Sequence, residues 1–470
     1  MRMGSQIVRD AKEEAEFRVS LTSDKAKKAV EIVRVLRHKG YSAYFAGGCV
    51  RDLLLGREPA DYDVATSATP QEVMRIFPKT YAVGVQFGVV LVPVLQNGED
   101  GARENYAIEV ATFRSDGAYS DGRHPDQVQF SSEARLDVQR RDFTINGLLL
   151  DPETNQVLDY VGGRADLERR IIRAIGLPHQ RFAEDKLRML RAVRFAARFG
   201  YTIEPQTFAA INELAAQIHQ VSRERIRDEV LKMLTEGSAK RAFELLDETA
   251  LLEQVLPEIK KMQGVEQPPE YHPEGDVWVH TLLLLEGLPA GCSKTLALGV
   301  LLHDVGKPPT FRRAPDRIRF DQHAEIGTRM AAEICHRFRM SNEETDRVCA
   351  LVANHMRFGD VKRMKESTLK RFLRLPQFDE HLELHRLDCA SSHRDLSLYD
   401  YAREKFTTMS AEQIRPEPLI TGHDLIAAGY KPGPQFKEWL TAAEDAQLEG
   451  TITTKEQALE LVKEKTRQGD

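Results

Sequence analysis

Cysteine is scarce and scattered: Cys49, Cys292, Cys335, Cys349 and Cys389 are five in number, with no CxxC pair among them. An odd, dispersed set excludes a disulfide framework and a zinc ribbon and suits a reducing compartment. Long apolar runs are missing as well. GVVLVPVL at 88–95 and LALGVLL at 296–302 fall far short of the ~20 residues that a spanning helix requires, so no membrane span is expected. The opening MRMGSQIVRDAKEEAEF has no apolar stretch followed by a small-residue cleavage site. It does not read as a secretory signal, and a cytoplasmic location is expected. Basic charge is not in excess either: 66 Lys and Arg stand against 72 Asp and Glu, a formal charge of −6. That balance argues against a chain coated in positive charge.

What remains is the composition of a packed protein, 41% hydrophobic and 29% charged over 470 residues, a length for two to four domains. The charge is uneven. Between Val161 and Gly200 ten Arg or Lys face four acids, a local +6. Residues 24–39 carry Ala26, Ala29, Val30, Val33 and Leu36 at helical spacing, with Gly40 as the stop. Short runs rich in β-branched and aromatic residues follow at 41–46, 85–95, 106–113 and 143–150 and read as strands. From about 164 onward helical periodicity dominates, at 184–199, 207–219, 223–235, 239–252, 295–303 and 324–337. Turn-rich punctuation at 264–275, 307–316 and 414–422 marks boundaries or long loops.

The first third concentrates carboxylates. GGCVRDLLLG at 47–56 places Gly-Gly between a strand and a helix, a turn that lets backbone N–H groups approach an anion and that also serves as a plain structural turn. Asp61 and Asp63 alternate in a predicted strand, both on one face with Tyr62 on the other. Such a pair repels itself unless a cation lies between, the arrangement that holds Mg²⁺ against phosphates; a solvated acidic turn is the alternative. Glu109, between Ile108 and Val110, offers a third acid. Arg140, Arg141 and Asp142 precede the last strand-like run, as phosphate-binding forks or as a surface ion-pair cluster. In 183–200, Arg188, Arg191, Arg194 and Arg198 share a helical face behind Glu184 and Asp185. That face suits a polyphosphate or a nucleic-acid backbone, or is simply a salt-bridged surface.

Together, GGCVRDLLLG with Asp61 and Asp63, Glu109, RRDFTIN, DYVGGRADL at 159–167 and EDKLR at 184–188, in this order, resemble class II tRNA nucleotidyltransferases and bacterial poly(A) polymerases. The resemblance runs from about residue 24 to 260 and includes the helices of 225–259. It implies an α+β multidomain chain, a polymerase β-like head followed by an all-α neck, body and tail. By position it implies that Asp61 and Asp63, with Glu109, hold catalytic Mg²⁺. Gly48, Arg51, Arg141, Asp142 and Asn146 would contact the nucleotide. Asp185 and Arg188 would read the edge of cytosine or adenine, Glu184 would hold the Arg, and Arg191 and Arg194 would support the triphosphate. Gly147, where the family has Ala, is a departure that bears on local packing. The polar segment 112–130 resembles the family's flexible loop and leans toward terminal A or complete CCA addition.

Nine of the fourteen His lie between 272 and 393. His280, His303-Asp304, His323, His355 and Asp388 fall in separate helical stretches, and imidazoles with carboxylates converging from different helices suit first-row divalent metals. LLHDVGKP at 301–308 resembles the HD-domain phosphohydrolase signature. It implies those six residues as ligands of a transition metal or Mg²⁺, with Lys307 near the scissile phosphate; His393 has no assignable role. The stretch 420–440 reads as a helix-turn-helix closing the tail.

The expected organisation is a charged extension at 1–23, a head at 24–160, a neck and body at 161–262, an HD domain at 263–405 and a tail at 406–470. The expected activity is template-independent addition of CCA, or its terminal A, to tRNA 3′ ends from CTP and ATP. Poly(A) polymerase and a metal phosphohydrolase are the alternatives. RNA is the expected partner, with no membrane and no obligate protein partner.

Overall fold

The side chain of Ser23 accepts from the Ala26 N–H and starts helix α1 (Asp24–His38), which buries Ala26, Ala29, Val30, Val33 and Leu36 as their spacing predicts. The computed structural model describes residues 21–82, 85–97, 103–117, 127–270 and 272–468. Residues 1–20 of the charged extension and 118–126 of the polar loop lie outside the described residues. Tertiary contacts divide the chain into two compact units, residues up to Glu229 with Leu245–Val255, and Val230–Glu244 with Leu256 onward.

The first unit is built on β1 (Ala43–Ala46), helix α2 (Gly48–Leu54), β2 (Asp63–Thr66), α3 (Pro70–Ile76), β3 (Val89–Asn97) and β4 (Arg103–Thr112). A hairpin of β5 (Arg114–Asp116) and β6 (Val128–Phe130), helix α4 (Ala134–Gln139), β7 (Leu148–Leu150), β8 (Val157–Asp159) and α5 (Gly163–Arg169) follow. Six strands form one sheet in the order β3-β4-β2-β1-β7-β8, with β2 and β4 parallel and Asp63 in register with Glu109. Side chains alternate across it. Phe45, Val64 and Leu148 pack with α1 on one face, while Ala46, Ala65 and Leu149 join Phe113 and Val138 on the other.

Three strands differ from their sequence-based limits. β2 begins only at Asp63; Asp61 sits in the preceding bend, exposed, and Tyr62 is buried. Val85–Phe87 form a 3-10 turn, and Gly88, at φ +86°, separates it from β3. Thr144–Asn146 likewise form a turn rather than strand, because Asp142 accepts from the Phe143 N–H and from Asn146 Nδ2 and curls the chain.

Beyond the sheet come β9 (Ile171–Ile172), α6 (Pro178–Glu184), α7 (Leu187–Phe199), β10 (Thr202–Ile203), α8 (Pro205–Leu214) and α9 (Arg223–Thr235). α10 (Ala239–Glu248), α11 (Leu251–Val255) and α12 (Pro257–Lys260) follow. The second unit contains α13 (Val277–Glu286), α14 (Lys294–Leu302), α15 (Lys307–Thr310), a small hairpin of β11 (Phe311–Arg313) and β12 (Ile318–Phe320), α16 (His323–Arg337), α17 (Asn342–Asn354), α18 (Glu366–Leu373) and α19 (Phe378–Ser391). The hairpin falls where the sequence reads as a long loop. Helices at Gly422–Ala427, Gln435–Leu448 and Lys455–Gln468 enclose their own apolar cluster. No helix of the described residues is long and apolar enough to cross a membrane.

Asp159 explains the DYVGG turn. Its carboxylate accepts the N–H groups of Val161, Gly162, Gly163 and Arg164 and so starts α5. A Cβ on Gly163 would lie 2.2 Å from the Thr144 carbonyl oxygen. Gly163→Ala is therefore expected to destabilise the first unit by about 2–3 kcal/mol, read as a lower urea midpoint; an unchanged midpoint would refute the close packing.

Candidate functional site

In the first unit the site grows from the β1–α2 turn. Gly47 has φ +74°, and a Cβ there would lie 2.9 Å from Arg141 Nη1, so only glycine lets that guanidinium settle over the turn. No side chain caps the α2 N-terminus that follows. Arg51, from α2, is buried with its guanidinium carbon 4.6 Å from the Phe199 ring centre and 5.4 Å from that of Phe195. Its Nη1 donates to Asn146 Oδ1 at 2.6 Å; Asn146 Nδ2 donates to Asp142 Oδ1 at 3.0 Å; Arg191 Nη2 donates to Asp142 Oδ2 at 2.6 Å. Burial alone would raise the Asp142 carboxyl, but Arg191 and Asn146 bring it down to about 2.

A cavity of about 480 Å³ is lined by Gly47, Gly48, Arg51, Asp63, Arg141, Asp142, Asn146, Asp185, Arg188 and Arg191, among others. A second, of about 520 Å³, holds Glu109 and Arg114 and shares Asp63, Arg140, Arg141 and Arg225 with the first. Burial, then the Glu109 carboxylate, pushes the Asp63 carboxyl up to about 6, with Asp61 adding to the effect and Arg141 opposing it. This concentration of carboxylate charge, Asp61 included, and its all-oxygen donor set fit a hard divalent cation.

Asp185 and Arg188 are both fixed. Arg225 grips the Asp185 carboxylate at 2.7 and 3.2 Å, and Asp185 Oδ1 also accepts the Leu187 N–H. Arg188 Nη1 donates to Glu184 at 2.5 Å and to the Arg181 carbonyl; its Nη2 donates to the Arg140 carbonyl. Glu184 thus acts on Arg188 from outside the cavity. Arg194 is not brought to the cavity wall: it is buried, with Nε 2.7 Å from Glu229. That ion pair occupies its Nε, and the expectation that it supports a triphosphate finds no contact at the cavity wall. Gly147 is explained too, since an Ala Cβ would come within 2.8 Å of Val161.

Sequence reasoning missed Arg225, visible only as one of several charges in RERIRDE, and Asp137, which is fully buried between Arg140 at 2.6 Å and Arg141 at 2.9 Å. A period of three or four residues marks Asp137 as part of a helix but not as its buried polar anchor. Asp137→Asn removes the countercharge of two guanidinium groups and is expected to cost about 3 kcal/mol, measured by urea unfolding; a loss below about 0.5 kcal/mol would show that the arginines find other partners.

In the second unit the six predicted histidine and aspartate positions converge. Asp304 Oδ1 lies 3.8 Å from His323 Nε2 and 3.8 Å from His355 Nε2, and Oδ2 lies 3.2 Å from His303 Nε2 and 3.9 Å from His280 Nε2. Asp388 Oδ1 is 3.1 Å from His280 Nε2. Two ligand trios, His280-His303-Asp304 and Asp304-His323-His355, thus share one buried carboxylate. Nδ1 of His303, His323 and His355 lies 2.7–2.9 Å from the carbonyls of Val300, Phe320 and Val352. Bonding there through Nδ1–H leaves each Nε2 unprotonated toward Asp304. Burial lowers His355 to about 4, which favours that neutral ligand form. His303 Nε2 is buried without a hydrogen-bond partner. The nitrogen-rich donor set fits a first-row divalent metal. Lys307 is buried against Asp304 at 2.7 Å and Gln267 at 2.5 Å.

Comparison with known proteins gives three matches along the chain: the poly A polymerase head domain at residues 43–173, the probable RNA and SrmB-binding site of polymerase A at 200–263, and a putative tRNA nucleotidyltransferase domain 2 at 320–462. The CCA-adding enzyme of Lactobacillus johnsonii is 40% identical over 262 residues, 55% of this chain and 63% of that protein. That of Geobacillus stearothermophilus is 45% identical over 223 residues, 47% of this chain and 53% of the relative. The chain therefore spans between half and two thirds of these relatives' length. Among solved structures, the CCA-adding enzyme of Bacillus stearothermophilus in complex with CTP aligns over 95% of this chain and 99% of its own, at 27% identity and a TM-score of 0.73. The Thermotoga maritima CCA-adding enzyme complexed with tRNA shares the fold over 95% of this chain and 97% of its own, at 19% identity and a TM-score of 0.57. With the head and RNA-binding segments matched in order and a solved relative aligned from end to end, the chain belongs to the family of class II tRNA nucleotidyltransferases and bacterial poly(A) polymerases.

Proposed function

We propose that this chain adds CCA to tRNA 3′ ends without a nucleic-acid template, taking nucleotides from CTP and ATP. The reading rests on the hydrogen-bonding capacity left at Asp185 and Arg188. Arg188 has five N–H donors, of which Glu184, Arg181 and Arg140 take three, leaving two. Asp185 has about four acceptor sites, three of them taken by Leu187 and Arg225, leaving one. Cytosine offers N3 and O2 as acceptors and N4–H as donor; adenine offers N1 and N6–H. Guanine and uracil instead turn a ring N–H toward the arginine and leave buried donors opposed.

In the reaction, the RNA 3′-hydroxyl oxygen bonds to the α-phosphorus, the bond to the bridging oxygen breaks, and pyrophosphate leaves as the hydroxyl gives up its proton. Asp61 and Asp63, with Glu109, would hold Mg²⁺, which supplies charge for the attacking and leaving oxygens. Arg141, Arg191 and Arg51, with the Gly48 N–H at the start of α2, would hold the triphosphate, and the Arg51–Asn146–Asp142–Arg191 chain keeps two of these cations from collapsing onto the acids. The chain itself contributes position and charge rather than a covalent intermediate.

The finer division into head, body, histidine-rich domain and tail belongs to the same proposal, supported by the end of the sheet at Asp159 and the separate apolar cluster of Ile420, Leu425, Ala443, Ala458 and Val462. A second activity is favoured by the shared carboxylate of Asp304: a metal-dependent phosphoesterase, with His280, His303, Asp304, His323, His355 and Asp388 as ligands and Lys307 beside the phosphate.

The test supplies Mg²⁺ with three tRNAs, ending in the discriminator base, in C or in CC, and labelled CTP and ATP separately and together. Extension of all three to CCA is expected. A single A added only to the CC-ending tRNA would mean an A-adding enzyme, and long A tails on unstructured RNA a poly(A) polymerase. Arg188→Ala is expected to reduce the preference for CTP and ATP over UTP and GTP by roughly 10–100-fold, read from competing incorporation rates; unchanged selectivity would remove Arg188 as the base reader.

A further inference from the structure

The segment 264–276 lies between α12 and α13 and reads in the sequence as punctuation, yet its described residues, 264–270 and 272–276, form a built strap. Asp276 closes it: Oδ2 accepts the Gly264 N–H at 2.7 Å while Oδ1 caps α13 through the Val279 N–H. Glu266 bridges to Asp276, and the Gln267 N–H donates to the Gly275 carbonyl. From this closed base the strap sends Glu274 to the histidine cluster. Glu274 Oε1 lies 2.6 Å from His280 Nδ1 and 2.9 Å from His272 Nδ1. The Glu274 side chain is 6% exposed; its Oε2 and both ring nitrogens of His280 make no hydrogen bond of good geometry, so the contact to His280 Nδ1 is an ion-pair distance.

His280 needs such a partner because its position differs from that of the other three imidazoles. His303, His323 and His355 sit at helix ends, where a carbonyl three residues earlier is available to Nδ1. His280 lies inside α13, and the corresponding carbonyl, of Val277, already accepts from Thr281 Oγ1 at 2.8 Å. Among the described residues no backbone carbonyl accepts from its Nδ1. We propose that Glu274 is the positioning residue of this centre: it keeps the proton of His280 on Nδ1, so that Nε2 faces Asp388 and Asp304 and is open to a divalent first-row cation. His272, sharing the same carboxylate oxygen, steadies Glu274 from the strap. The proposal rests on the metal-centre reading of the second unit. Its physical basis is that a carboxylate behind a ligating imidazole fixes ring orientation and raises ligand basicity, an effect of roughly 10–100-fold in metal affinity.

The experiment uses the full chain carrying Asp61→Ala and Asp63→Ala, so that the first unit does not compete, stripped of metal and titrated with Co²⁺. Ligand-field absorption and calorimetry report binding. Glu274→Gln, which keeps the side-chain shape, is expected to weaken Co²⁺ binding about 10–100-fold and to alter the absorption bands, with the thermal midpoint of the metal-free chain unchanged. Unaltered affinity and bands in Glu274→Gln, with binding lost in His303→Ala, would overturn the role of Glu274 and leave the metal centre standing. A lowered metal-free midpoint without a change in the bands would reassign Glu274 to folding. Equal binding in the parent, Glu274→Gln and His303→Ala would remove the metal centre, and this proposal with it.

Discussion

Asp137 is the group on which the arrangement of the first unit depends. A fully buried carboxylate is tolerable only when paired, and Asp137 is paired twice, to Arg140 and Arg141. The pairing fixes both ends of the site. Arg141 is held over Gly47, beside Asp63, and the Arg140 carbonyl is set where Arg188 Nη2 reaches it at 3.2 Å. Arg140 also lies 3.7 Å from Asp116, the last residue of β5. One buried charge thus joins the carboxylate side of the cavity to the side that holds Arg188, and both cations keep a defined position.

The parallel pairing of β2 with β4 works with that anchor. It sets Asp63 opposite Glu109, bringing together acids 46 positions apart that no local pattern relates. Two acids in register repel, and burial makes the repulsion stronger. The nearby Arg141 relieves part of it, which leaves a site whose remaining need is met by an added cation. The same guanidinium cannot satisfy this need alone, because Asp137 already claims it.

Much of this was legible in the chain, for reasons that differ by residue. Helix α1 could be read because its apolar spacing decides its buried face, and α9 because nothing in 223–235 competes with helical periodicity. Gly47, Asp63, Arg188 and His303 were legible because each sits in a short motif whose chemistry needs that residue type. The turn at Thr144–Asn146 was hidden by β-rich composition: Asp142 overrides propensity with two local hydrogen bonds. The partner of Arg194 was hidden for a related reason. Helical spacing puts it on the face of Arg188 and Arg191, but spacing says nothing of Glu229, which lies 35 positions away and captures it. Arg225 and Glu274 were invisible because they act through partners on other elements, and a single sequence shows no such partnership.

The donor chemistry separates the two centres more sharply than their position in the chain. The first unit offers carboxylate oxygens only, beside arginines suited to phosphate, and oxygen donors with phosphates are what Mg²⁺ accepts while keeping part of its water. The second offers four imidazoles for two carboxylates, a set that binds first-row transition metals far more tightly than Mg²⁺. Each unit also protects its choice. Asp137 holds the Arg141 guanidinium that would otherwise neutralise Asp63 more fully, and the carbonyls of Val300, Phe320 and Val352 occupy the Nδ1 atoms that would otherwise compete with Nε2. Because the competing group is satisfied in both units, a metal of the kind proposed for either one would meet ligands already aimed, and the energy of binding would not be spent on arranging them.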